Sequence, residues 1–195
     1  MGITSFYFLC FFAGILLIYY VLPGKWQWSF LLLCSIAYYL MTGNGMLVLY
    51  PLASVAVCYV GIRSMAGTED ARRRKLALAG VVAVNLGILI LLKYINFAVY
   101  TINGIAGLCG GEGALLHGLD LLVPLGVSFY TCSLLGYVID VYYGIAPLQK
   151  NFGRLALYGM YFPVMISGPI LQYRECGEQF FAPHRFDYVK VTRGM

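Results

Sequence analysis

The sequence predicts an all-α, polytopic integral membrane protein of about six membrane segments, and three observations carry that expectation. Of the 195 residues, 61% are hydrophobic and only 11% are charged, whereas soluble domains carry about 25% charged residues. Mean hydropathy is +0.80, and so few charges cannot cover a water-facing surface. The charged residues also cut the chain into apolar pieces near the roughly 20 residues that a spanning helix needs. The net charge of +5 is therefore read by position, as a topology signal. Membrane lipids are expected as partners and nucleic acid is not.

The first apolar run is Ile3–Leu22, closed by Pro23, Gly24 and Lys25. No basic residue precedes it and no small-x-small cleavage site follows, so it reads as a retained span and not a signal peptide. From Trp26 to Ile62 there is no charge, which is too long for one crossing. Gly43, Asn44 and Gly45 divide it into spans at 27–41 and 46–62 by ordinary turn chemistry. Trp26 and Trp28 suit an interface. Arg63, Glu69, Asp70, Arg72, Arg73, Arg74 and Lys75 then form the densest charged stretch. Residues 63–75 are expected to be a cytoplasmic loop, which places Lys25 inside and the N-terminus outside.

A fourth span starts at Leu76 and runs to Leu92, and a snorkelling Lys93 would let it continue toward Tyr100. Asn103–Gly113 holds five glycines and reads as a flexible connection. It lacks the Lys-Ser/Thr ending of a phosphate loop. Leu121–Ile139 is the fifth span, and Lys150 and Arg154 return the following connection to the inside. The last uncharged run, Leu155–Tyr173, is interrupted by Pro163 and by Gly168-Pro169. A broken or re-entrant helix fits there, provided protein or water surrounds the freed backbone. Residues 1–195 read as one transmembrane domain. The stop at Met195, without a closing element, gives the expectation of an incomplete one.

Chemistry is sparse. The six cysteines (Cys10, Cys34, Cys58, Cys109, Cys132 and Cys176) show no C-x-x-C spacing, so neither a metal site nor a disulfide framework is supported. His117 and His184 fall outside the spans and read as exposed loop histidines. No residue here is assigned a catalytic role. The richest stretch is VPLGVSFYTCSLLGYVID, residues 123–140. At about 100° per residue, Gly126, Tyr130, Ser133, Tyr137 and Asp140 share one helix face, and Gly144 would extend it. Small and hydroxyl residues on one face let helices pack closely; alternatively they line a polar path. Asp140 is either a solvated boundary acid or a functional one. Arg174 could bind an anionic group or join Glu175 and Glu178 in a boundary ion-pair cluster.

Four stretches taken in order resemble the membrane-bound O-acyltransferase (MBOAT) family, in its bacterial alginate O-acetylation and D-alanyl transfer branch. They are FFAGILLIYYVLPGKWQWSFLLLCSIAYYL, LLKYINF (Leu91–Phe97), VPLGVSFYTCSLLGYVIDVYYG and FPVMISGPILQYRE (Phe162–Glu175). The resemblance implies the N-terminal part of an enzyme that moves an acyl group, with acetyl expected here, to hydroxyls of an extracellular polysaccharide or cell-wall polymer. The donor would be an acyl-CoA or acyl carrier protein thioester acting as substrate, with no bound cofactor. An extracytoplasmic acyltransferase partner and a polysaccharide acceptor are implied too. The family's essential histidine lies in a C-terminal apolar segment that no position here matches, and neither His117 nor His184 inherits its role. The chain alone is expected to be inactive, since general-base loss costs about 10²–10⁴-fold in rate. Tyr130, Ser133, Tyr137, Asp140 and Arg174 are the candidates for a substrate-path wall or its support. Two other readings stand beside this one: a transporter or lipid-linked sugar flippase, which also uses broken helices, and a non-enzymatic membrane scaffold.

Overall fold

The computed structural model describes residues 6–42, 45–108, 124, 126–165 and 171–184, and every described element is helical. Helix α1 is Phe6–Val21 and α2 is Gly24–Thr42, separated at Pro23, whose carbonyl accepts from the Trp26 amide at 2.9 Å. A 3-10 turn at Gly45–Val48 runs directly into α3, Leu49–Ala66. Pro51 sits in the first turn of α3, where its missing N–H costs nothing.

The charged stretch departs from its expected loop form. Helix α3 continues through Arg63 to Ala66, and α4 (Ala71–Leu108) already includes Arg72–Lys75. Only residues 67–70 connect them. Arg and Lys are good helix formers, and the Asp70 carboxylate accepts from the Arg72 amide at 2.9 Å, capping the new helix as acidic N-cap residues do. Helix α4 also runs past Tyr100 and takes in the first part of the glycine-rich stretch. The rest of that stretch lies outside the described residues, and so does His117. At 38 residues α4 is about 57 Å long by its 1.5 Å rise, nearly twice the ~30 Å hydrocarbon core.

Helix α5 is Val127–Tyr142, later at both ends than the expected fifth span. Gly126 precedes it with φ +70°, and Gly144 follows it with φ +73°. Neither belongs to the helix face on which the spacing placed them. Gly144 is the left-handed residue of a helix-ending motif in which its own amide reaches Val141 O (3.1 Å) and the Ile145 amide reaches Asp140 O (2.8 Å).

The expected sixth span is not one helix. Asn151 caps α6, Phe152–Met160, by accepting from the amides of Gly153 and Arg154 at 2.9 and 3.3 Å. Tyr161 then turns extended, with ψ +109°, and α7 is the single turn Phe162–Met165. Helix α8, Tyr173–Phe181, follows residues 166–170, which fall outside the description together with Gly168-Pro169. The break at Tyr161 is supported from α2: the Phe162 amide donates to Ser35 Oγ at 3.4 Å.

Among the described residues two stretches are long and apolar enough to cross a membrane, Gly45–Ala66 and Ala71–Ile95. Helices α1 and α5 are apolar but have 16 residues each, about 24 Å. Six full crossings are therefore not found among the described residues. The outer faces are greasy: Val21, Phe97 and Tyr100 are exposed, as suits a lipid solvent.

Helix α3 occupies the centre, packed by α4, α5 and α6, while α2 packs on α6. It buries Ser54, Val55, Cys58, Gly61, Ile62 and Met65 along one side. A Cβ at Gly61 would run into Val81 Cγ2, so this glycine sets the close approach of α3 and α4. Asn85 is fully buried in that seam, its amide donating to Val81 O at 3.0 Å. A separate cluster seats Phe162 among Phe8, Phe11, Phe12 and Tyr38.

The basic connections gather at one end of the bundle. Arg74 donates to Tyr142 O at 3.1 Å, and its guanidinium lies 5.5 Å from the Tyr142 ring centre. Arg63 donates to the Tyr59 hydroxyl, which donates to Lys150 O at 2.8 Å. Arg154 sits 5.7 Å from the ring of Trp28 and 4.9 Å from that of Phe181. The start of α2, the end of α3, the start of α4, the end of α5 and the end of α8 thus share one face of the structure.

Candidate cleft between α5, α6 and α8

Beneath that end a cleft of about 300 Å³ opens between α5, α6 and the start of α8. Ser133, Tyr137 and Asp140 line it from α5, Tyr158 from α6, and Tyr173 and Arg174 from α8. Four of the five sequence candidates therefore meet around one space. The spacing along α5 aligns the first three. Arg174 arrives because the chain breaks at Tyr161 and returns, which brings a distant residue to the same wall.

Tyr130 is not in this cleft. It points into the core and borders a void of about 10 Å³ on the inner side of Ser133 and Tyr158. Its hydroxyl faces that of Ser54 on α3, yet neither makes a hydrogen bond of good geometry among the described residues. Tyr130 lies about one turn before Ser133 along α5, and that step along the axis carries it past the cleft.

Tyr137 is fully engaged. Its hydroxyl donates to Pro147 O at 3.1 Å and accepts from the Gln149 amide at 2.8 Å, stitching the 143–151 connection onto α5. Its ring packs 4.2 Å from that of Tyr173, and Tyr158 closes the group at 5.1 Å from Tyr173. The Tyr158 hydroxyl reaches Leu171 O at 2.6 Å, with Ser133 O at 3.2 Å, and Gln149 Nε2 donates to the Tyr173 hydroxyl at 2.8 Å. Three tyrosines with satisfied hydroxyls thus form a rigid back wall.

The two charged groups are less constrained. Asp140 is half-buried, and among the described residues no hydrogen bond or ion pair takes up its carboxylate. Arg174 approaches Glu175 at 4.0 Å, with both side chains more than half exposed. A pair that exposed is worth little, so the guanidinium is available to the cleft. The Glu178 side chain lies outside the described residues. The arrangement offers a carboxylate acceptor, a guanidinium and aromatic faces to one ligand. Among the described residues no cluster of three or more His, Cys, Asp or Glu side chains could hold a metal ion.

This chain is 33% identical over 180 residues to a protein of Azotobacter vinelandii named "Probable alginate O-acetylase AlgI", covering 92% of the chain and 35% of that relative. Relatives of the same name in Pseudomonas syringae pv. tomato and Pseudomonas aeruginosa are 33% and 32% identical, again over 92% of the chain and 34% of each. The chain is homologous to these relatives over most of its own length. It spans about a third of the length of the curated relatives it matches. No family profile matches it, and no solved structure does.

His184 is the last described residue, just past α8. The residue is exposed, as the sequence suggests, but it is pinned. Its backbone N–H and C=O both bond to the buried side chain of Gln27, and Nδ1 lies 2.9 Å from the Tyr19 hydroxyl. It does not line the α5–α6–α8 cleft. Sequence reasoning missed Tyr158 and Tyr173, whose spacing from one another says nothing until the helix breaks. It also missed Gln27, an amide at the head of an uncharged run, between Trp26 and Trp28.

Proposed function

We propose that this chain supplies one wall of a membrane O-acyltransfer path, in which an acyl thioester meets a hydroxyl of an extracellular polysaccharide or cell-wall polymer. The observation that carries this reading is the meeting of Ser133, Tyr137, Asp140 and Arg174 around one cleft. In the transfer an acceptor hydroxyl attacks the thioester carbonyl, the C–O bond forms, and the thiol departs. Asp140 can accept hydrogen bonds from polyol hydroxyls, and Arg174 can pair with an anionic group of either substrate. The tyrosine wall holds these groups in register and limits water. No histidine lines the cleft among the described residues, so its part is to bind and orient. Proton removal falls to a base elsewhere. Acetyl is the proposed acyl group, carried by coenzyme A or a carrier protein on the side of residues 63–75. An extracytoplasmic acyltransferase would then receive or extend the transfer. Residues 1–195 act in this reading as part of one transmembrane domain.

The test is acyl transfer from a radiolabelled acetyl donor in membranes carrying the full-length protein. Asp140→Asn and Arg174→Ala are each expected to lower transfer at least tenfold with unchanged protein level. Transfer at the parental rate in both variants would sink the reading.

A further inference from the structure

A second pocket, distinct from the cleft, is a half-open space of about 260 Å³ between α1, α2 and α8. Its wall is Phe12, Ile15 and Leu16 of α1, Leu31 of α2, Phe162 and Phe180. Polar groups enter toward the C-terminal end of α1: Tyr19 and, across from it, His184 and Gln179. Along α1 the lining passes from Tyr19 to Phe12 over seven residues, about 10 Å of helix rise, and becomes wholly apolar on the way. Tyr20, Tyr161 and Cys176 complete the lining, so the pocket is polar toward Tyr19 and apolar along the side of α1 that runs to Phe12.

The polar end is held rigidly. Gln27, 2% exposed, clasps the His184 backbone from both sides at 2.8 Å, and Gly24 fits so closely that a Cβ there would strike Pro183. Lys25 stands exposed beside this contact, at the basic end of the bundle. The Tyr19 hydroxyl and His184 Nδ1 lie 2.9 Å apart, and the ring's Nε2 takes no part in that contact.

We propose that this pocket holds one acyl chain of an anionic phospholipid, its chain along Leu16, Ile15 and Phe12 and its head at His184, Tyr19 and Lys25. Three considerations select that occupant. A protein helix, about 10 Å across with side chains, cannot enter a space of 260 Å³. The volume lies just under the ~300–1,000 Å³ range of small-molecule clefts, which are mostly apolar with a few placed polar groups. The polar end faces the basic end of the bundle, where Lys25 complements a negatively charged head. The site needs only that the chain sit in a membrane, so it stands or falls apart from the acyl-transfer reading.

The experiment is native mass spectrometry of the full chain, purified in detergent and offered phosphatidylglycerol, phosphatidylcholine or oleate. One phosphatidylglycerol per chain is expected to be retained, at least tenfold more firmly than phosphatidylcholine. Leu16→Trp, at a position 40% exposed and so tolerant of bulk, fills the pocket and is expected to abolish retention. The double variant Lys25→Gln, His184→Gln is expected to erase the preference for the anionic head while leaving chain binding. A photoactivatable phosphatidylglycerol, used on the unmodified protein, should crosslink to the α1 peptide containing Phe12–Leu16 and to the α8 peptide containing Phe180. Undiminished retention in Leu16→Trp, equal retention of the two phospholipids, displacement by oleate alone, or crosslinks confined to other helices would each overturn the proposal.

Discussion

Gln27 and His184 are 157 residues apart and exchange two hydrogen bonds of 2.8 Å, the Gln27 amide donating to the His184 carbonyl and its oxygen accepting from the His184 amide. The same Nε2 lies 3.2 Å from Tyr19 O and 3.4 Å from Leu22 O, near the end of α1. One buried side chain therefore joins α1, α2 and the segment after α8.

That geometry makes Gln27→Ala destabilising. It removes two part-buried hydrogen bonds, and a typical one is worth about 0.5–1.5 kcal/mol net. The expected loss is the sum of the two, read as a lower denaturant midpoint in detergent. Limited proteolysis should cut after residue 181 faster than in the parent. Unchanged protection would mean that the clasp contributes nothing.

Two glycines, one just before α5 and one within it, should respond in opposite ways. Gly126 sits at φ +70°, and a Cβ there would strike Met165 O and Cγ. Gly126→Ala therefore combines left-handed strain of about 1–2 kcal/mol with displacement of α7. Gly136 lies within α5, and a Cβ there would meet nothing within 4 Å. Gly136→Ala should be neutral or stabilising by up to about 1 kcal/mol, since alanine is the better helix former. Thermal unfolding of the two variants side by side checks the contrast, and equal midpoints would contradict it.

The break between α6 and α7 has its own test. Ser35 donates to Leu31 O at 2.8 Å and accepts from the Phe162 amide at 3.4 Å, and it is buried. Ser35→Ala strands that amide in an apolar surrounding, for an expected loss of about 1–3 kcal/mol. Ser35→Thr keeps the hydroxyl and should recover part of it. Loss of Phe162 from its aromatic cluster would appear as a changed near-ultraviolet circular dichroism spectrum.

The placement of the apolar helices is legible because charge is costly in lipid: each uncharged run marks where a helix can lie. The 100° spacing likewise brings Ser133, Tyr137 and Asp140 to one wall. The same spacing misplaces Gly126 and Gly144, because composition cannot say that φ must turn positive at those positions to end a helix. Nor could the sequence distinguish Tyr158 and Tyr173 among 17 tyrosines; they become a wall only when the chain breaks at Tyr161 and returns. The charged stretch at 63–75 reads as a loop by charge alone, yet Asp70 starts a helix in its middle. Local capping outweighs the preference of charge for a connection.

Tyr137 separates support from binding. Its hydroxyl makes two hydrogen bonds, to Pro147 O and from the Gln149 amide, and both partners belong to the turn that leads into α6. Tyr137→Phe keeps the ring against Tyr173 and removes only those bonds. The expected cost is about 1–3 kcal/mol of stability, together with loosening of residues 147–151, seen as faster amide exchange there. Gln149 would then hold the Tyr173 hydroxyl less firmly, because its own backbone has lost an anchor. In the acyl-transfer assay Tyr137→Phe should lower the rate less than Asp140→Asn does, since its hydroxyl is already taken by the backbone. A larger loss of transfer in Tyr137→Phe than in Asp140→Asn, at equal protein level, would assign the phenol a direct part in handling substrate.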